Sequence, residues 1–186
     1  MEVELVRHPA SPIPPIDRIC VEFSRPTDAR LIFRYRIEGD ISALVIAPQL
    51  PTGGRANDLW QTTCFEAFVK RPEGPRYVEF NFSPSSQWAT YLFDDYREGR
   101  RDFEWAGLPR FDIRAGQDSF ELSVAVDLSQ TQQGWRTIDL GLGLSVVVET
   151  RGDRQKSYWA LAHPPGDPDF HHGDCFGQVL RAPGAA

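Results

Sequence analysis

Apolar and polar residues alternate with a period of two over four stretches of the chain. This is the pattern of extended strands with one packed face and one wet face. Ile19, Val21 and Phe23 form the first apolar set. Leu31, Phe33, Tyr35 and Ile37 face one way while Ile32, Arg34 and Arg36 face the other. Phe120, Leu122, Val124 and Val126 alternate with Glu121, Ser123, Ala125 and Asp127, and Leu142, Leu144, Val146 and Val148 continue the theme. Turn chemistry separates such runs: Arg71-Pro72-Glu73-Gly74-Pro75, Ala115-Gly116-Gln117-Asp118 and Arg151-Gly152-Asp153-Arg154 each read as a hairpin connection. No stretch repeats at the helical period. About ten short strands joined this way predict an all-β fold, a two-sheet antiparallel β-sandwich of jelly-roll type. With no internal repeat or linker, residues 1–186 read as a single domain.

Three connections are too long for plain hairpins: residues 47–59, 94–109 and 162–174. Loops of that length either cover sheet edges or carry function. Composition adds two constraints. The formal charge of -6 excludes a general nucleic-acid binder, whose affinity needs a basic surface. No run approaches the roughly 20 apolar residues of a membrane span, so neither nucleic acid nor membrane is an expected partner. Cys20, Cys64 and Cys175 are odd in number and lack a CxxC pair. Without an export signal this reads as reduced thiols in a cytoplasmic protein.

Catalytic signatures do not appear. There is no GxSxG elbow, Walker loop, GxGxxG fingerprint or HExxH, and Gly141-x-Gly143 lies inside an apolar strand pattern. The protein is therefore expected not to be an enzyme. The densest polar cluster is Asp167, Asp169, His171, His172, Asp174 and Cys175. Asp169, His171 and Asp174 are its candidate metal ligands: the aspartates suit calcium, and a histidine with Cys175 suits a softer ion. The competing reading is a loop of Asx turns with packed imidazoles. Calcium apart, no cofactor is expected.

Residues 58–93 interleave aromatics with a few polar groups on what read as consecutive strands. Cys64, Glu66, Phe68 and Lys70 share one face of the first, and Tyr77, Glu79 and Asn81 share one face of the next. In the right register Glu66, Glu79 and Asn81 line a single face, flanked by Trp60 and Trp88. Glu66, set among Phe65, Ala67 and Phe68, must face a polar cleft or be buried with a partner. Arg34 and Arg36 are the candidate partners for Glu66 or Glu79. Trp88 and Tyr91, whose odd spacing puts them on opposite faces, read first as core packing, and Trp105 as exposed or capping an edge.

The motifs LW-x4-CFEAF (Leu59 to Phe68), YVEFNFSPSSQWATY (Tyr77 to Tyr91), FDDYREG (Phe93 to Gly99) and YWALAHPPGDPDFHHGDCF (Tyr158 to Phe176), in this order, resemble DOMON-like proteins related to family 9 carbohydrate-binding modules. The resemblance covers nearly the whole chain. It implies a β-sandwich with a ligand site on or beside a sheet face. In that family a tryptophan six residues before a glutamate supplies an aromatic platform and a hydroxyl acceptor, and Trp60 and Glu66 stand at that spacing. Where the family places a second tryptophan in a C-terminal loop, this chain offers Phe170, His171 and His172, while Trp159 falls in a predicted strand. The expected function is non-catalytic binding of a small molecule, a sugar first. The candidate ligand contacts are Trp60, Glu66, Glu79, Asn81, Trp88, Phe170 and His171. A protein-interaction module and a heme- or metal-binding variant are the alternatives. Heme fits poorly, because Met1 is the sole methionine.

Overall fold

Each alternating stretch becomes a strand in the computed structural model, which describes residues 1–103, 107–129 and 135–184. The five-stranded sheet contains β1 (Glu2–Glu4), β3 (Ile16–Thr27), β4 (Arg30–Gly39), β10 (Ser119–Asp127) and β9 (Arg110–Ala115), in that spatial order. The eight-stranded sheet runs β2 (Val6–Arg7), β12 (Lys156–Ala160), β11 (Leu140–Glu149), β5 (Cys64–Lys70), β6 (Tyr77–Phe82), β7 (Trp88–Phe93) and β8 (Arg101–Asp102), with β13 (Gln178–Leu180) also paired to β11. Neighbouring strands are antiparallel throughout both sheets. The protein is a two-sheet antiparallel β-sandwich. Of the thirteen strands among the described residues, β1, β2, β8 and β13 are short pieces too brief to show a period, which leaves nine against about ten expected.

The core lies between the sheets and follows the alternation. Leu31, Phe33, Tyr35 and Ile37 of β4 meet Phe120, Leu122, Val124 and Val126 of β10 on one side. Phe65, Ala67 and Val69 of β5, Val78, Phe80 and Phe82 of β6, and Leu142, Leu144, Val146 and Val148 of β11 supply the other. Burying each large aliphatic or aromatic side chain contributes roughly 1.5–3 kcal/mol. The three hairpin turns fall where their residues place them, with Gly74 at φ +84 between β5 and β6.

The two sheets differ on their outer faces. That of the five-stranded sheet is wet, and Arg34 and Arg36 pair there with Glu22, Glu38 and Glu121. This corrects their expected role: they lie across the sandwich from Glu66 and Glu79, and neither pairs with those residues. The outer face of β5, β6 and β11 is buried instead, so these strands are covered on both sides. A second apolar cluster fills it: Cys64, Phe68, Tyr77, Ala89, Tyr91, Phe93, Val147, Ala160 and Phe170 among others. Trp105 lies outside the described residues.

Candidate ligand-binding site

Register builds the floor of the site. Glu66 stands opposite Asn81 on β6 and opposite Ser145 on β11, and Glu79 stands opposite Phe68 and Tyr91. Directly opposed residues share a face, so Glu66, Glu79, Asn81, Ser145 and Tyr91 all point outward, away from the sandwich core. Two of the long loops close over this face. The segment after β7 brings Arg97 and Arg100, and the segment after β12 brings Pro168, Phe170 and His171. A short 3₁₀ turn, Leu59–Gln61, buries Leu59 and leaves Trp60 at the mouth, 46% exposed. Together with Tyr91, Phe93, Val147 and Tyr158 they enclose a pocket of about 450 Å³.

Both carboxylates are buried, Glu66 at 3% and Glu79 at 6% exposure. The Ser145 hydroxyl donates to Glu66 Oε2 at 3.0 Å, and the Asn81 amide donates to Glu79 Oε1 at 2.6 Å. Burial raises the pKa of Glu66, and repulsion from Glu79 raises it further, against the pull of Ser145 and Arg97. Burial also raises Glu79, opposed by Asn81, Arg100 and Arg97. His171 moves the other way, down to about 4, because burial and the nearby Arg97 disfavour its cation. Its Nδ1 lies 2.7 Å from the Tyr77 hydroxyl, which itself accepts from the Arg97 backbone N–H. The direction of the Tyr77–Nδ1 hydrogen bond follows the imidazole tautomer, and Nε2 lies 3.9 Å from Glu79 Oε2.

Asp169 latches the two loops together. It accepts from Arg97 Nη2 at 2.7 Å and from the His171 backbone N–H at 3.1 Å, and the Tyr96 hydroxyl also donates to it. Those donors hold its carboxyl below the usual range despite partial burial. Arg100 lies with its guanidinium 4.0 Å from the Tyr91 ring centroid, and the Tyr91 hydroxyl donates to Asn57 at 3.0 Å.

Of the ligand contacts expected from sequence, Trp60, Glu66, Glu79, Phe170 and His171 line one pocket. Asn81 lies under it and orients Glu79. Trp88 is on the other side of the sheet: it stands opposite Phe82 and packs against the sandwich core. Its place at the end of the run put it beside the motif but on the wrong face. Tyr91, read as core, is buried and also lines the pocket. Trp159 faces the core, so its neighbour Tyr158 is the aromatic that β12 gives to the site.

The metal trio does not assemble. Asp169 is engaged by Arg97 and Tyr96, His171 by Tyr77, and the backbone N–H of exposed Asp174 donates to Nδ1 of His172, which caps the turn. Among the described residues no three His, Cys, Asp or Glu side chains converge on a metal-sized space. The sequence reading missed Arg97, Arg100, Ser145 and Tyr158. Tyr158 and Ser145 were legible from alternation, since each follows the face opposite to Trp159 and Val146. The arginines come from an irregular turn whose residue Arg97 has φ 56, and no period reveals where such a turn points.

No family model matches the chain, and no curated protein matches it. Solved structures similar to it in fold include a candidate carbohydrate-binding protein from Bacteroides uniformis, at 18% identity and TM-score 0.65, over 98% of this chain and 86% of that one. A family 9 carbohydrate-binding module from Caldicellulosiruptor kristjanssonii in complex with glucose is similar at 12% identity and TM-score 0.56, over 95% and 81% of the two chains. A module of the same family and organism with cellotriose matches at 13% identity and TM-score 0.50, covering 84% of this chain and 70% of that one. At these identities the similarity establishes the fold.

Proposed function

We propose that this protein is a non-catalytic carbohydrate-binding domain, related to the DOMON-like and family 9 modules, whose site is the pocket on the outer face of the eight-stranded sheet. The observation that carries the reading is the pairing of a half-exposed indole, Trp60, with two buried carboxylates in one aromatic-walled pocket. A large aromatic at 46% exposure has not been used for packing, and buried carboxylates with free acceptor capacity call for donors from outside the chain. A pyranose supplies both complements: an apolar C–H face for the indole and hydroxyl donors for Glu66 and Glu79. The fold shared with proteins solved with glucose and cellotriose supports the same choice. Phe170 and Tyr158 add further aromatic wall to the same pocket.

Calorimetric titration with glucose, cellobiose and cellotriose tests this, with Trp60→Ala as the comparison. Loss of the indole is expected to weaken sugar binding by roughly tenfold or more, each tenfold step being about 1.4 kcal/mol. The melting temperature of the variant should stay within a few degrees of the parent, because so much of Trp60 is exposed. Full affinity in Trp60→Ala, or no heat with any sugar, would contradict the reading.

A further inference from the structure

Among the described residues no arginine or lysine forms an ion pair with either floor carboxylate; Arg97 and Arg100 act on them only from a longer range. Of their four oxygens, Glu66 Oε2 and Glu79 Oε1 are held by Ser145 and Asn81. Glu66 Oε1 and Glu79 Oε2 receive no hydrogen bond from any described residue, although both side chains are more than nine-tenths buried and line the pocket. The two glutamates are diagonal neighbours on adjacent strands, a spacing of ~7–8 Å, so one small group can touch both.

The positive groups nearby are spoken for or lie at the rim. Arg97 is paired with Asp169, and exposed Arg100 is stacked on Tyr91. His171, the one imidazole close to Glu79, is neutral and already bound to Tyr77. Cys64 and Tyr91, which face the same floor, bring no positive charge. A sugar hydroxyl would satisfy an acceptor but leave one of the two buried acids protonated, because ionising both sets like charges side by side. A protonated amine brings three donors and the missing charge.

The walls fit the same group. Trp60, Tyr91, Phe93, Tyr158 and Phe170 surround the floor, and aromatic faces attract cations. The rim shows this attraction with the chain's own side chains. The Lys156 ammonium stands 6.0 Å from the Trp60 ring centroid, and Arg100 stands over Tyr91.

We infer that the pocket selects a sugar carrying a free primary amine, with its ammonium seated between Glu66 and Glu79 and its ring against Trp60. The sugar part rests on the carbohydrate reading above; the amine part rests on the unanswered carboxylates. Binding converts the floor to its fully ionised form, so the protein gives up a proton as the ammonium enters.

Isothermal titration at pH 6 separates the two parts, using glucosamine, glucose, N-acetylglucosamine and cyclohexylamine as probes. Buffers of different ionisation heat report proton release in the same experiment. The expected result is that glucosamine binds about tenfold or more tighter than glucose and N-acetylglucosamine, as charge-assisted hydrogen bonds predict, and releases protons. Glu66→Gln is expected to bring glucosamine down toward glucose. Should that variant fail to fold, the comparison of glucosamine with its N-acetyl form on the unaltered chain makes the same test. Glucose or N-acetylglucosamine binding as tightly as glucosamine overturns the amine inference and leaves the carbohydrate reading standing. Cyclohexylamine matching glucosamine, with glucose inert, overturns the sugar part, and silence from all four probes overturns both.

Discussion

Glu66 shows how one side chain can be read twice from different information. In sequence it is an acid among Phe65, Ala67 and Phe68, which demands either a cleft or a partner. In the structure it has the cleft and a serine hydroxyl, with its own arginine candidates on the far side of the sandwich. Its raised pKa has a direct consequence for stability. A group with a folded pKa above its unfolded value contributes fully below the unfolded value, near 4.5, and loses that contribution as pH rises through the folded value. Glu66→Gln is therefore expected to melt with the parent below pH 4.5 and above it at higher pH. The gap should grow to several degrees by neutrality, at about 3 °C per kcal/mol for a chain of this size. Differential scanning calorimetry across pH 4–8 checks this, and a constant gap would show that the carboxyl is not desolvated. His171 acts in the opposite direction: its contribution is present above 6.5 and is lost as pH falls toward 4.

At the scale of elements, β11 carries two jobs on its two faces. Leu142, Leu144, Val146 and Val148 fill the core, while Gly143, Ser145 and Val147 face the loop layer. Gly143 is what lets that layer settle. A Cβ there would lie 3.2 Å from the Cys175 carbonyl oxygen and 3.3 Å from Phe68 Cβ. Gly143→Val is expected to lift the 173–175 turn from the sheet, costing about 1–3 kcal/mol as overpacking does. Chemical denaturation measures the loss, and an unchanged midpoint would mean that the turn is not pressed against the strand. The same element shows what sequence reveals. Period-two alternation identified the core face of β4 and β10, because one wet face leaves a clean pattern, and that of β11, where Gly143 and Ser145 interrupt the apolar run on the other face. It could not say that β5, β6 and β11 are buried twice, since their second cover comes from loops with no period. The floor residues Glu66, Glu79 and Asn81 were legible as a shared face; Arg97 and Arg100, set by turn geometry, were not. Trp88 was drawn in by closeness in sequence, though its register places it with Phe82 on the core side.

For the whole molecule, the division of labour runs across the eight-stranded sheet. One face anchors it to the five-stranded sheet through the main core, and the other supports a second aromatic cluster and the pocket. The five-stranded sheet's own outer face is a chequerboard of arginines and acids paired with each other, from Arg18 with Glu38 to Arg114 with Asp112. Arg18, Arg34, Arg36 and Arg114 there are all paired with acids of the same chain. In the pocket, Glu66 and Glu79 each keep one carboxylate oxygen without a hydrogen bond from a described residue, and this contrast is why we propose binding on that side of the molecule. The most direct test is two-dimensional nitrogen–proton NMR of the labelled protein during titration with glucose and glucosamine. The chain has five tryptophans, and Trp60→Phe assigns the indole signal of interest. The account predicts saturable shifts of the Trp60 indole and of backbone amides around Glu66, Glu79 and His171, with the strands carrying Arg34 and Arg36 unmoved. Shifts centred on that five-stranded sheet, or none with either sugar, would contradict it.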